Sequence, residues 1–275
     1  MKKFVSILLS LVLVLSLASA CADDLKVIRV GASPAPHAEV LESEIVTAKL
    51  AELGYKLDVI VYEGYSLQNP AVSDGTDDAN YFQHHQYLAS YNASVGEADK
   101  LATAFSVHYE PFGIYSEKIK SLDELKDGAI IALPNDPSNE TRAMLLLAAE
   151  GLITLPEGAN AESSITKYDI TDEMNPRGFQ FDEQDASLLP STMADADISV
   201  INGNYAIDAG LSTADALALE AADSEGVKTV YGNILAIRQA DVDADWVKAL
   251  QSVICSEEVR AFMTETYKGG VVPTF

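Results

Sequence analysis

Basic residues are scarce: the 275-residue chain has 18 lysines and arginines against 42 aspartates and glutamates, a net charge of −24. The acidic excess is spread along the chain, so the surface repels phosphate backbones and anionic headgroups alike, and nucleic acid is excluded as a partner. Cysteine is scarcer still, at two, and no disulfide framework exists. Cys255 falls in a helical stretch and reads as a small buried apolar residue. Glycine-rich loops are missing. Gly31 and Gly113 stand alone, neither G-x-G-x-x-G nor a P-loop occurs, and no nucleotide cofactor is expected. There is no G-x-S-x-G elbow, and the carboxylates are too many for one acid–base pair to stand out, so an enzyme is not expected. Beyond the N-terminus no apolar run approaches the roughly 20 residues of a membrane span. The remainder, 48% hydrophobic and 22% charged, is the composition of a folded protein.

The N-terminus has the layout of a secretion signal over residues 1–20: Lys2 and Lys3, an apolar run from Phe4 to Leu17 punctuated by single serines, then small Ala18, Ser19 and Ala20. Cys21 stands at the end of that stretch, where a bacterial lipoprotein carries its acylated first residue. Ala18-Ser19-Ala20 also fits ordinary signal cleavage, which would leave a secreted chain that begins with an unmodified Cys. On the first reading residues 21–26 are a lipid-anchored tether.

From Lys26 onward, β-type runs alternate with helical patterns, the arrangement that builds α/β sheets covered by helices. Strands are expected at Val27–Ala32, Lys56–Tyr62, Asn80–Phe82, Ile130–Leu133, Ser164–Ile170, Phe179–Phe181 and Ile198–Ile201. Longer β-type runs cover Leu101–Tyr115, broken by Pro111 and Gly113, and Val227–Arg238. Helices are expected at Glu39–Leu53, Asn69–Ser73, Gln86–Tyr91, Ser121–Lys126, Asn139–Glu150 and twice within Asp243–Tyr267. This many strands, with two long interrupted runs, suggests two α/β lobes joined by crossings near Ser106–Gly113 and Thr229–Ile234. The C-terminal helices would pack back on the first lobe.

Three strand ends offer chemistry. Leu133 through Arg142 leaves a buried strand and enters a helix whose free N–H groups, with the Arg142 fork in the first turn, suit a carboxylate. Read alone, the same residues are also an ordinary capped helix with a surface arginine. Ile201-Asn202-Gly203-Asn204-Tyr205 brings amides to a corresponding place, and Tyr81 to His85 supplies flat rings. The histidines, His37, His84, His85 and His108, raise the alternative of a zinc or other metal receptor. Against it stand the absence of a His-rich loop and of H-x-x-x-H spacing.

These strand ends, together with the segments VGASPAPHAEVLE, DANYFQHHQYL, HYEPFGIYS, IALPNDPSNETRAMLLL, VINGNYA and KGGVV, resemble the NlpA/MetQ family of methionine-binding lipoproteins in order along nearly the whole mature chain. The resemblance implies a two-lobed, type II periplasmic-binding-protein-like fold. Lobe 1 would hold residues 27–109 and 232–275, and lobe 2 residues 110–231. It also implies a monomeric substrate receptor of an ABC importer, closing on L-methionine or on a relative such as D-methionine or a methionine dipeptide. The receptor would be held outside the cytoplasm by its lipid and served by a permease and ATPase. By position, Arg142 resembles the grip on the ligand carboxylate, with Asn139 one turn before it. Asn202 and Asn233 resemble the amides on the α-amino and carboxylate groups. Tyr65, Phe82 and His84 resemble the wall around the thioether. The chain departs from many relatives at Thr141, where they have Gly, and at His85, which would alter the pocket. No cofactor and no resident metal is implied.

Overall fold

In the computed structural model, which describes residues 25–221 and 225–275, the strands sort into two sheets. The signal segment and Cys21 lie outside the described residues. The first part of the chain gives β1 (Lys26–Ala32), a distorted helical turn at Pro34–Ala38, one turn at Glu39–Leu41 and α1 (Glu44–Glu52). It continues through β2 (Tyr55–Val61), α2 (Gln68–Ser73), β3 (Ala79–His84), α3 (His85–Ser94) and β4 (Leu101–Tyr109). Next come β5 (Gly113–Tyr115), β6 (Ile130–Pro134), α4 (Pro137–Ala149), β7 (Gln180–Gln184), β8 (Ile198–Ile201), α5 (Gly203–Asp208), β9 (Ala218–Leu219) and α6 (Glu225–Tyr231). The chain then returns as β10 (Gly232–Arg238), α7 (Asp245–Ile254), α8 (Glu257–Tyr267) and β11 (Val272–Pro273).

The first sheet runs β11-β4-β10-β3-β1-β2 and the second β7-β6-β8-β5-β9, so the protein is a two-lobed α/β fold. In each lobe the parallel strands end on the same edge. β1 pairs in parallel with β2 and β3, while β10 enters antiparallel between β3 and β4. That register sets Asn233 opposite both His84 and His108, so one strand start and two strand ends meet at one point. In the second sheet β6 pairs in parallel with β7 and β8, which brings the β6–α4 and β8–α5 turns side by side. Ligands of open α/β sheets bind outside such carboxyl ends.

The apolar faces form a separate core in each lobe. Val30, Tyr81, Leu235 and Ile237 pack with Val46 and Leu50 of α1 and with Leu250, Ile254 and Met263, so the C-terminal helices do return to the first lobe. Ile131, Leu133, Met144, Leu147, Ile198 and Val200 pack together in the second. At about 25 cal/mol per Å² of buried apolar area, side chains such as these each contribute roughly 1.5–3 kcal/mol.

Three sequence expectations are corrected. The helix expected over Glu39–Leu53 is interrupted: Ser43 is extended, its hydroxyl accepts from the Val46 amide, and α1 starts afresh behind that cap. Ser164–Ile170 is not a strand. Asp169 accepts from the Thr166 amide and hydroxyl at 2.9 Å each, closing a single 3₁₀ turn at Lys167–Asp169 instead of leaving the backbone free for a ladder. The run Val227–Arg238 divides into the end of α6 and β10. The chain turns straight from helix to strand at Gly232, where a Cβ would lie 2.6 Å from the Lys228 carbonyl oxygen, so only glycine fits.

Candidate ligand-binding site

Between the lobes lies a small, tightly lined cleft, part of it open to solvent. Tyr65, Phe82, His84, Asn139, Arg142, Asn202 and Asn233 all line it, joined by Gln83, Tyr87, Glu110 and Asn204. The first lobe supplies an aromatic group: Tyr65 has its ring centroid 5.5 Å from Phe82 and 5.6 Å from Tyr87, and Tyr205 of the second lobe closes on Tyr65 at 4.9 Å. Ring edges and faces of this kind suit a polarisable thioether.

The polar half is built from the strand ends. Pro137 opens α4, and Asp136 caps it by accepting from the Asn139 amide at 3.0 Å. Asp136 also accepts from Asn139 Nδ2, which fixes the Asn139 Oδ1 as an acceptor, and Asn202 Nδ2 donates to it at 2.8 Å. His84 Nε2 reaches the same oxygen from the other lobe at 3.2 Å, while its Nδ1 accepts from the Tyr87 amide at 3.0 Å. Both imidazole nitrogens are therefore engaged in a neutral ring. Burial first, then the Arg142 charge, pulls its pKa down to about 3. His84 is thus a polar strut between the lobes as well as part of the wall.

Glu110 follows β4 and is 4% exposed. His108 Nε2 donates to its Oε1 at 2.6 Å, because Tyr81 OH, 2.5 Å from His108 Nδ1, supplies the proton on that side. His37 Nε2 lies 3.5 Å from the same oxygen and 3.1 Å from Asn233 Oδ1. Burial raises the Glu110 pKa, but the His108 hydrogen bond and the charges of His37, His108 and Arg142 outweigh it, and the carboxyl is held below its ordinary value. His37 is driven to about 4 by burial, against the pull of Glu110.

His37, His108 and Glu110 are the described residues that could hold a metal ion, their donor atoms lying within 4.8 Å of one another. Ligand atoms on tetrahedral zinc, about 2.0–2.1 Å from the metal, stand roughly 3.3 Å apart. The 2.6 Å His108–Glu110 separation is shorter than that spacing and is a hydrogen-bond distance. Of the other histidines, His84 is committed as described and His85 faces away from the cavity, bonding Ser106 Oγ at 2.9 Å. The expectation that His85 alters the pocket is corrected accordingly. Thr141 also points elsewhere: its hydroxyl donates to the Pro137 carbonyl and accepts from the Ile165 amide at 2.8 Å, pinning the loop that follows α4.

The profile of the NlpA lipoproteins matches residues 28–275. The chain belongs to that family. The methionine-binding lipoprotein MetQ of Bacillus subtilis is 37% identical over 90% of this chain and 88% of its own. A nutrient-binding protein from Burkholderia cenocepacia, solved with methionine bound, is 39% identical and covers 90% of this chain and all of its own, with a TM-score of 0.83. An ABC-transporter periplasmic substrate-binding protein from Coxiella burnetii is 35% identical, covers 90% of this chain and 100% of its own, with a TM-score of 0.80.

Sequence reasoning passed over Glu110, Gln83 and Tyr87, which stand inside or beside the family segments, and Glu220, discussed below. Glu110 had one available signal, its place two residues after His108 at a strand end. Nothing in the sequence marks Glu220 among 42 acidic residues.

Proposed function

We propose that this chain is an extracytoplasmic receptor of an ABC importer that binds methionine, or a close relative, between its lobes. The observation that carries the reading is the set of cavity-lining polar atoms left over after the protein's own hydrogen bonds are made. Asn202 Oδ1 and Asn204 Nδ2 are buried without a partner among the described residues. Leaving such a group unsatisfied costs roughly 1–3 kcal/mol, which a ligand recovers. Glu110 Oε2 accepts no hydrogen bond from a described residue, and His37 beside it, with its pKa held at about 4, is neutral at pH 7. Arg142 is paired with Glu220, and Glu110 is a buried carboxylate with an oxygen left to offer. The acceptors, Glu110 and Asn202, suit an ammonium; the donors, Asn204 and Arg142, suit a carboxylate. The rings of Tyr65, Phe82 and Tyr87 suit a thioether chain. An α-amino acid zwitterion with a linear apolar side chain satisfies all three.

The relatives' methionine supports this reading. The lobes are assigned residues 27–109 with 232–275 and residues 110–231, and closure is a motion of one against the other. Attachment is through a lipid on Cys21, which stands at the end of the N-terminal apolar stretch; among the described residues no helix is long and apolar enough to cross a membrane. The receptor acts as a monomer facing a permease and ATPase. Mass spectrometry of ligand released on denaturation, followed by calorimetry with amino acids, methionine dipeptides and zinc, tests the reading. Methionine or a close analogue is expected. Submicromolar zinc binding without methionine binding would overturn it in favour of the His37–His108–Glu110 cluster.

A further inference from the structure

Arg142 already meets a carboxylate that belongs to the protein. Glu220, directly after β9, places Oε1 3.0 Å from Arg142 Nε and Oε2 2.6 Å from Nη2. The other Nη2 hydrogen goes to the Glu110 carbonyl at 2.9 Å. The guanidinium lies against two rings, with Cζ 4.2 Å from the Tyr231 ring centre and 4.9 Å from that of Phe112. A guanidinium has five N–H donors in a fixed fork. Three are engaged here, and the two on Nη1 donate to no described residue. Glu220 is itself tied down: Tyr109 OH donates to its Oε2 at 2.6 Å, and its amide donates to the Phe112 carbonyl at 2.8 Å.

We propose that Glu220 is a positioning residue for ligand recognition: it locks the two-pronged Nε/Nη2 edge of Arg142, so that the ligand carboxylate is read through the Nη1 edge alone. This rests on the methionine reading above. It also revises the expectation that Arg142 grips the ligand with its fork, since that fork faces Glu220. Displacement of Glu220 by the ligand would strand a mostly buried carboxylate beside Tyr109 without its cation, whereas recognition through Nη1 leaves every existing bond in place. The arrangement fixes direction as well as charge. With four of the guanidinium's surroundings set by Glu220, Glu110, Tyr231 and Phe112, the open edge points one way, and a carboxylate elsewhere on a ligand does not meet it.

The test is calorimetry on the full mature chain with methionine and with methioninol, which lacks the carboxylate, using wild type, Glu220→Gln and Tyr109→Phe. Glu220→Gln keeps shape but loses the locking charge. Tyr109→Phe loosens Glu220 while leaving every charge unchanged and guards against a folding defect in the first variant. Methionine binding should weaken about 10- to 100-fold in Glu220→Gln, the range seen when the outer partner of a liganding group is removed. It should weaken less in Tyr109→Phe, and methioninol binding should change less than threefold in either. Tighter methionine binding by Glu220→Gln would show Glu220 to be a competitor, and unchanged binding or equal losses for both ligands would show no positioning role; each overturns the proposal. If wild type ignores methionine, or binds methioninol as tightly, the methionine reading itself fails and takes this proposal with it.

Discussion

Replacing Glu110 by Gln is the most direct probe of how the cleft reads an amino group. The variant keeps the side chain's shape, and Gln Oε1 still accepts from His108 Nε2, so the fold is preserved while one buried charge disappears. The charges around it settle the magnitude. Glu110 is 4% exposed, His37 stays neutral because burial holds its pKa at about 4, and Arg142 is matched by Glu220 at 2.6 Å. The ligand ammonium then brings a full positive charge against Glu110. Truncating one partner of such a desolvated pair costs about 2–5 kcal/mol, or roughly 30-fold to several thousand-fold in Kd at 1.4 kcal/mol per decade. Calorimetry at pH 7 should show that loss for methionine. For 4-(methylthio)butanoate, which is methionine without its amino group, the order should reverse: wild type binds it poorly because two carboxylates face each other, and Glu110→Gln binds it better. Undiminished methionine affinity in Glu110→Gln would refute the assignment of Glu110, and with it the charge balance of the cleft.

Arg142→Ala should abolish tight methionine binding and also lower stability by about 3–5 kcal/mol, because it leaves Glu220 buried without a cation; Arg142→Lys should recover only part of either, since one ammonium cannot serve Glu220, the Glu110 carbonyl and a ligand at once. Urea unfolding with and without ligand separates the two effects, and an Arg142→Ala protein as stable as wild type would contradict the first. Folded His37 and His84 have pKa values of about 4 and about 3, below the ordinary 6.5, so the unfolded chain takes up protons that the folded chain refuses. Stability is therefore full above pH 6.5 and declines as pH falls from there through 4 and then 3, each histidine costing about 1.4 kcal/mol for every pH unit between its unfolded and folded values. Urea midpoints should drop over that window, and His84→Gln should drop less steeply; identical slopes would count against the strut. Gly203→Ala should weaken methionine binding at least tenfold, because its Cβ would sit 2.6 Å from Glu110 Cβ and 3.2 Å from the Pro111 carbonyl oxygen and so push Glu110 out of place; wild-type affinity in that variant would show that Glu110 need not pack so closely on the β8–α5 turn.

The alternation of strands and helices could be read from the chain because each strand is a short apolar run and each helix repeats its apolar positions at helical spacing, both properties of neighbouring residues. The misread segments share another feature. In Ser164–Ile170 and at Ser43 a side-chain oxygen captured a backbone amide three residues away and won against the pattern. At Gly232 a steric fact about one missing Cβ divided an otherwise uniform run. Local periodicity carries no record of such contacts.

The same distinction separates what could be seen of the cleft from what could not. Strand ends that carry Asn139, Arg142 and Asn202 are visible because an α/β sheet presents ligands at its carboxyl edge, whatever the ligand, whereas Asn233, at the start of β10, is pointed to by the family resemblance alone. The partners that decide what those groups do are far away in sequence: Glu220 lies 78 residues from Arg142, and Asn139 lies 55 from His84. Both relationships change a role. A fork expected to hold the ligand is held by the protein, and a ring expected to be apolar wall bridges the lobes through its Nε2. Since each partner is mostly or fully buried, its energetic weight is set by desolvation, which depends on the closed arrangement of the two lobes and not on either segment alone. A receptor whose specificity is stored in contacts between lobes also couples binding to closure, because the bonds from Tyr65 to Asn204 at 2.6 Å and from Tyr205 to the Glu63 carbonyl at 3.1 Å exist only when the lobes meet.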